Sequence, residues 1–548
     1  MTPSKDRISY IQSLKDSAYD LIIIGGGITG AGIALDATSR GLKTLLLEKN
    51  DFASGTSSKS TKLIHGGLRY LKQFEIALVR EVGLERAVVH GVAPHLVKAE
   101  KMLLPLIKDG TYGKILTSLG LMVYDVLAGV EKVDQRKMLT KKETLELEPL
   151  LKEDVLDGGG IYAEYRTDDA RLTIEILKTA ASKGADILNY AKATDFVYND
   201  LNEVCGVCWK DQLSGLAYES RSNYVINATG PWVDKVRSKD EEVKGKHLRP
   251  TMGIHIVLPR EKLPIKHAVY FDEPEGRMLF AIPRDRTTYV GTTDTNYEGD
   301  LDDLMVRKED IQYLINGANH IFPKASLKIQ DVESTWVGLR PLIEEEGKSA
   351  SEVSRKDEIF ESDSGLLSIA GGKLTGYRKM AERIVNRIAK KEEEKGNKLI
   401  PCETHKIVLS GGPFTDAKEV VQYTEQIRNK LAPYAMGEMA NYLVSNYGKQ
   451  VDKILENFIE MKGQEPERSE INLGLAELNF ALKHEFTFTL LDFFERRTGR
   501  LYFNIDSIDR LKEPIAARMA SYHGWSQKTL DLELAKLENA IKRSSKFL

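Results

Sequence analysis

Cysteine is almost absent. Three residues in 548 carry a thiol, and two of them, Cys205 and Cys208, sit in EVCGVCWK, whose alternation reads as a strand. Residues three apart on a strand point to opposite faces and lie about 10 Å apart, too far for a disulfide. Cys402 is remote from both. The thiols read as structural, so any electrons this protein handles must ride on a bound organic group. Histidine is scarce too, ten in all, and none stands in a ligand spacing such as H-E-x-x-H, so no metal is expected. An excess of charge of either sign is missing. Lys and Arg number 78 against 81 Asp and Glu, a net charge of −3, with a pI near 6.4. That balance exerts no global pull toward nucleic acid. No apolar run is long enough to span a membrane: Ile115–Val130 is the most apolar stretch, is too short, and holds Asp125. The first twenty residues lack the apolar core of a secretory signal. These absences point to a cytoplasmic chain, or one resting on a membrane surface.

What the chain does have is length for two or three domains. DLIII (Asp20–Ile24) is an apolar strand running into GGGITG, helical spacing follows to Gly41, and Lys43–Leu47 is a second strand. That is a βαβ unit. Strand and helix patterns alternate to about residue 240, with YVINATG (Tyr224–Gly230) a further buried strand. From about 245 to 365 strands dominate, and Leu366–Lys391 reads as strand, glycine turn and long helix. The charge run Lys390–Lys398 reads as a solvated linker, with amphipathic helices beyond it. The expected fold is α/β: a Rossmann-like cofactor domain interleaved with a β-rich substrate (cap) domain, then an all-α C-terminal domain. The cofactor-plus-cap region is set at 18–395, with cofactor segments 18–95, 150–245 and 330–395 and cap segments 96–150 and 246–330; the helical domain takes 396–548.

Gly25, Gly27 and Gly30 complete G-x-G-x-x-G at the first strand-to-helix junction. They serve a tight turn, close approach to a pyrophosphate and close helix–strand packing, and the helix N-terminus offers free N–H groups to phosphate. Glu48 ends the second strand, 18 residues after Gly30, placed to accept from ribose hydroxyls. An acid there favours a free 2′-hydroxyl and argues against NADP. Two features favour FAD over NAD. The hydroxyl-rich loop Ser54–Lys62 follows directly, with Thr56, Ser57 and Ser58 able to hold pyrophosphate or ribitol oxygens. Far along the chain, Gly371 and Gly372 precede a helix starting near Leu374–Thr375. Its N-terminus would stabilise negative charge at a flavin N1–C2=O edge. The glycines of STKLIHGGLRYL, Gly66 and Gly67, would let the loop pass close to a flavin ring.

The stretches GGGITGAGIALDATSRGL, TSSKSTKLIHGGLRYL, YRTDDARL, NATGPW, GTTDT, GLRPL and GGKLTGYRKMAE together closely resemble FAD-dependent glycerol-3-phosphate dehydrogenases of the aerobic, quinone-linked type. The likeness runs from about residue 18 to 390, and KHEFTFTLLDFFERRTGRL (Lys483–Leu501) resembles that family's C-terminal domain. Glycine and D-amino-acid oxidases are wider relatives that share the glycine fingerprint but not GGLRYL or GLRPL. No Cys or His stands in a motif readable as a flavin attachment point, so the FAD is expected to be non-covalent, and the resemblance implies that Lys62, Ile64, Gly66, Gly230, Gly372, Leu374 and Thr375 also touch it. It implies sn-glycerol 3-phosphate as substrate, oxidised at C2 by hydride transfer to flavin N5, with dihydroxyacetone phosphate as product.

Phosphate suits arginine, whose planar fork donates two parallel hydrogen bonds. Arg69 and Arg340 each stand in a Gly-Leu-Arg context, and the resemblance puts Tyr70, His255 and Lys373 beside them. A base poised near neutrality suggests histidine. His255 and His65 both qualify, with His255 preferred and Lys373 better placed to balance negative charge. The family's oxidases carry an extra segment after the GLRPL arginine. Only Pro341 to Ala370 separates Arg340 from the glycine turn here, which points to a dehydrogenase whose acceptor is a membrane quinone. Peripheral attachment to the inner face of the cell membrane is then expected, through Leu103–Leu127 or the helix ending IKRSSKFL. A homodimer is possible. An oxygen-using glycerol-3-phosphate oxidase, another FAD amine or hydroxy-acid oxidase, and a non-catalytic flavin-bound sensor are the alternatives.

Overall fold

The computed structural model describes residues 7–14, 17–65, 76–108, 135–273, 275–344, 356–461 and 468–547. The strand Tyr19–Ile24 is apolar and buried from Leu21 to Ile24 and lies inside a parallel sheet. It pairs in parallel with Ala217–Asn227 on one side and Thr44–Leu47 on the other. Leu367–Gly371 and Asp186–Leu188 extend that sheet in parallel, and Asp357–Glu361 adds an antiparallel edge. A strand covered on both faces must be apolar on both, which is why DLIII reads as a continuous run. The helix Ile28–Ser39 packs on this sheet and against Tyr377–Glu394. A Cβ on Gly32 would lie 2.9 Å from Tyr377, so the glycine allows the two helices to approach.

The second sheet is mostly antiparallel, in the order Thr295–Asn296, Leu248–Pro259, Thr287–Gly291, Met278–Arg284, Ala268–Asp272, Lys98–Ile107, Leu156–Arg166, Leu63–Ile64. Ser334–Ile343 pairs with Leu248–Pro259 from Leu248 to Val257. The interleaving expected from sequence is therefore present. The strands Leu156–Arg166 and Ser334–Ile343, set with the cofactor segments above, belong to this second sheet. Their apolar runs do not tell which sheet a strand joins; long-range pairing decides that.

The helix Tyr377–Glu394 continues through most of the charge run expected as a linker. Glu392 accepts from Tyr224 Oη at 2.7 Å, so the run forms one side of a helix docked on the sheet. Beyond it lie Ala417–Leu431, Ala440–Tyr447, Val451–Glu460, Ser469–His484, Asp506–His523 and Gln527–Ser545, with a π-helical turn at Asp492–Arg497. The helical part is seated on both sheets. Asp51 and Asn189 meet Arg497 and Phe486, and Ser334 and Thr335 donate to the Tyr502 and Ser544 carbonyls.

Of the two segments expected at a membrane, Leu103–Leu127 lies mostly outside the described residues and the final helix packs one side on the core. Leu103 to Ile107 belong to a strand whose Leu103, Leu104 and Leu106 are buried, and residues 109–134 lie outside the described residues. The final helix turns Leu530, Leu534, Leu537 and Ile541 onto the core. Among the described residues no helix is long and apolar enough to cross a membrane.

Candidate active site

The first strand ends at Gly25, whose φ of 115° only glycine adopts readily. A Cβ there would lie 2.5 Å from the Ala228 carbonyl oxygen, and one on Gly30 would lie 1.9 Å from that of Gly25. The turn is therefore closed to side chains and open to a ligand. At the start of the following helix the Ile28 N–H donates to Ser57 Oγ at 2.8 Å. Glu48 accepts from the Gly26 N–H at 2.7 Å and the Asn50 N–H at 2.8 Å, which aims its carboxylate beside the turn. Burial pushes its carboxyl upward, against those two hydrogen bonds. Thr56 Oγ1 donates to the Leu339 carbonyl at 2.7 Å and so ties the hydroxyl-rich loop to the strand carrying Arg340.

The distant glycine turn arrives at the same place. Gly371 and Gly372 both have φ of 75°, and a Cβ on Gly372 would lie 2.4 Å from Met380 Sδ. Lys373 then caps the short helical turn Leu374–Gly376, which leads into Tyr377–Glu394. Thr375 Oγ1 accepts from the His65 N–H at 3.1 Å and donates to the His65 carbonyl at 3.2 Å. These segments enclose a cavity of about 1140 Å³. Its size, its glycine cradle and its helix N-termini fit an extended dinucleotide such as FAD.

On the opposite wall, His255 sits in the middle of Leu248–Pro259 and is buried. Gly291 on the paired strand makes room for the ring, since a Cβ there would lie 2.2 Å from His255 Cδ2. The imidazole stacks on Trp336 at 4.6 Å with planes 9° apart, and Nε2 lies 3.0 Å from Thr61 Oγ1. Nδ1 has no hydrogen-bond partner among the described residues. Burial, then the Arg340 and Lys62 charges, hold the ring well below the usual histidine range, so it is neutral at physiological pH. Arg340 is held by the loop Gly291–Thr295: Nη1 donates to the Thr293 carbonyl and Asp294 Oδ1, each at 3.0 Å, and Nη2 to Thr292 Oγ1 at 2.8 Å. Gly253 opposite leaves space for the guanidinium.

Gly25, Gly27, Glu48, Thr56, Ser57, His65, Gly230, His255, Arg340, Gly372, Lys373, Leu374 and Thr375 all line this one cavity. Gly30, Ser58, Lys62 and Ile64 do not. Gly30 packs helix on strand, and Ser58 Oγ turns back to the Gly55 carbonyl at 3.4 Å. Lys62 carries the clearest correction. Its Nζ is buried in an ion pair with Asp169 at 2.5 Å and donates to the Ser58 carbonyl at 2.9 Å, so its charge braces the loop from behind. Arg69, Tyr70, Gly66 and Gly67 lie outside the described residues. Sequence reasoning passed over Thr61 and Trp336, which hold His255, and Asp294, which holds Arg340. It also passed over Lys49, whose ammonium sits 4.0 Å above the Trp232 ring in the cavity wall. Thr61, Asp294 and Trp232 stand inside motifs already noticed; Trp336 and Lys49 do not. Cys205, Cys208 and Cys402 are free thiols, and no cluster of metal-ligating residues occurs among the described residues.

A parallel sheet with a glycine turn, joined to an antiparallel sheet across an elongated cavity, is the architecture of a flavin-dependent oxidoreductase. Residues 20–378 match the family of FAD dependent oxidoreductases, and residues 402–530 match the C-terminal domain of alpha-glycerophosphate oxidase. The aerobic glycerol-3-phosphate dehydrogenase of Bacillus subtilis is 49% identical over 540 residues, covering 98% of this chain and 97% of the relative. That of Staphylococcus haemolyticus is 48% identical over 538 residues, covering 98% and 96%. The X-ray structure of the glycerol-3-phosphate dehydrogenase from Bacillus halodurans, complexed with FAD, has a TM-score of 0.84 at 41% identity, covering 99% of this chain and 98% of its own. The L-alpha-glycerophosphate oxidase of Mycoplasma pneumoniae, at 18% identity and a TM-score of 0.56 over 71% of this chain and 97% of its own, shares the fold. The chain belongs to the FAD-dependent oxidoreductases and, within them, to the aerobic glycerol-3-phosphate dehydrogenase family, with FAD as its cofactor.

Proposed function

We propose that this enzyme oxidises sn-glycerol 3-phosphate to dihydroxyacetone phosphate in glycerol catabolism and passes the electrons to a quinone at the membrane surface. The observation that carries the reading is the meeting of a neutral buried histidine with Arg340 and Lys373 in the cavity that also holds the glycine turn. FAD, when bound, supplies the two-electron acceptor for a secondary alcohol. Gly25, Gly27, Ser57 and Glu48 would hold its pyrophosphate and ribose, and the Gly371–Thr375 turn would face its ring.

The remaining chemistry belongs to the side chains. Arg340 and Lys373 supply positive charge for a phosphate dianion. Because Asp294 shares the Arg340 fork, the guanidinium is aimed before substrate arrives. His255, kept neutral and clamped between Trp336 and Thr61, is the group best prepared to take the hydroxyl proton. His65 is the second candidate: it lines the same cavity, with its peptide fixed by Thr375. Acceptor choice is supported by the short connection after GLRPL and by the similarity to aerobic dehydrogenases. Substrate-reduced enzyme should pass electrons quickly to a soluble quinone analogue and slowly to oxygen. Rapid, stoichiometric hydrogen peroxide in air would replace the dehydrogenase reading with an oxidase one.

A further inference from the structure

The C-terminal helices contain a run of buried charge that the reaction above does not use. In the π-helical turn Asp492–Arg497, Arg496 and Arg497 reach 445 and 446 residues back along the chain to Asp51. Arg497 donates to both carboxylate oxygens, at 2.7 and 2.8 Å, and Arg496 Nε donates at 2.5 Å. All three side chains are at most 7% exposed. Asn189 Nδ2 also donates to Asp51, at 2.9 Å, and to the Phe486 carbonyl at 2.9 Å.

Asp51 lies in a short loop that is bonded on its other side to the cofactor turn. Glu48 accepts from the Gly26 N–H, and the Ala53 N–H donates to the Gly26 carbonyl at 3.0 Å. The Asn50 N–H orients the second oxygen of Glu48, while the Asn50 carbonyl accepts from the Tyr190 N–H at 2.7 Å. Tyr190 is itself held from the helical domain, donating from Oη to Asp492 Oδ1 at 2.6 Å. Both Ala53 (φ 60°) and Tyr190 (φ 55°) occupy left-handed backbone that non-glycine residues keep only when their surroundings enforce it. Phe52, which packs edge-on against Phe486 at 5.8 Å, touches the position a Gly26 Cβ would take.

We propose that the C-terminal helical domain sets the affinity for FAD, with Arg496 and Arg497 as positioning residues that hold Asp51 and thereby the loop 48–53 against the glycine turn. The acid that meets the ribose and the turn that meets the pyrophosphate are then shaped by residues far outside the βαβ unit. The helical domain is part of the cofactor site, at one remove.

The test measures FAD affinity and heat stability side by side in the full-length protein. Asp51→Asn keeps the shape and removes the charge. Tyr190→Phe removes one hydroxyl from the same path and leaves the ion pairs intact. Glu485→Gln breaks a different buried junction between the same parts, to Arg171 and Lys178 on the helix Asp169–Ser182. FAD release is followed by recovery of free-flavin fluorescence, and turnover is assayed with and without excess FAD. Asp51→Asn is expected to raise the FAD dissociation constant by about tenfold or more, with turnover recovered by excess FAD. Tyr190→Phe should raise it severalfold at nearly unchanged Tm, and Glu485→Gln should lower Tm with little change in FAD affinity. If Asp51→Asn does not fold, Tyr190→Phe decides the matter. FAD affinity unchanged in Tyr190→Phe, or falling in step with Tm in Asp51→Asn and Glu485→Gln alike, would overturn the proposal and leave the arginines as domain fasteners only.

Discussion

Thr375 and His65, 310 residues apart, are joined by two hydrogen bonds through a single hydroxyl, at 3.1 and 3.2 Å. This contact brings the loop after the first βαβ unit onto the second glycine turn, in the wall of the cavity that both residues line. Thr375 is 1% exposed, so no water replaces it easily. Thr375→Val keeps the shape but leaves the His65 N–H and carbonyl without that partner, at a cost of about 1–3 kcal/mol. The expected outcome is faster FAD release at an unchanged fold, read from flavin fluorescence. A dissociation rate equal to wild type would show that the two segments hold each other without help from this hydroxyl.

Arg340→Ala should lower kcat/KM by about thirtyfold to several hundredfold, the loss of roughly 2–4 kcal/mol of charge-assisted hydrogen bonding in the transition state. Arg340→Lys should recover only part of that, because an ammonium cannot reproduce the fork held by Thr292, Thr293 and Asp294. The flavin absorbance should stay near wild type in both. Steady-state kinetics on glycerol 3-phosphate check this, and unchanged kinetics would return Arg340 to a purely structural role within its loop.

His255→Gln should reduce kcat/KM by about 10²–10⁴-fold if the ring takes the substrate proton. Burial, with Arg340 and Lys62 adding to it, keeps this histidine neutral to well below pH 6.5. The acid limb of kcat/KM should therefore fall below pH 6.5, not near neutrality. A limb at pH 7 or above, or a mild His255→Gln phenotype, would transfer the role to His65.

Stability should fall on the acid side for a separate reason. His95 is fully buried, with neither ring nitrogen hydrogen-bonded among the described residues, and burial pulls it down to about 4. The unfolded chain binds a proton near pH 6.5 that the folded chain refuses. The contribution is thus complete above pH 6.5 and is lost as pH drops from 6.5 toward 4, at about 1.4 kcal/mol per pH unit. His95→Leu should flatten that part of the Tm profile. Below pH 4 the slope should persist toward pH 2, because Asp51, raised by burial but lowered further by Arg497 and Arg496 to about 2, stays charged in the folded chain while the unfolded chain protonates it near 3.8.

Local patterns were enough to read the glycine turn, the strand before it and the acid after it, because each lies within thirty residues of the others. The second glycine turn was legible for the same reason: Gly371, Gly372 and the following helix are contiguous. What escaped was pairing at a distance. Nothing near Lys62 announces Asp169, so a lysine in a cofactor loop looked like a cofactor ligand when it is a brace. Nothing near Asp51 announces Arg496 and Arg497. Of the segment Leu103–Leu127, only the first six residues are described, and Leu103 to Ile107 pair with Leu156–Arg166 as a buried strand, which an apolar run does not distinguish from a helix.

In the function proposed, one cavity holds FAD and a phosphate-bearing alcohol together. Anaerobic addition of sn-glycerol 3-phosphate to the yellow enzyme tests it most directly. The flavin's visible absorbance band should be lost rapidly and restored on adding a quinone analogue, with glycerol lacking the phosphate far less effective because Arg340 and Lys373 have nothing to hold. Absorbance that persists with glycerol 3-phosphate, or that bleaches equally with unphosphorylated glycerol or an amino acid, would contradict it.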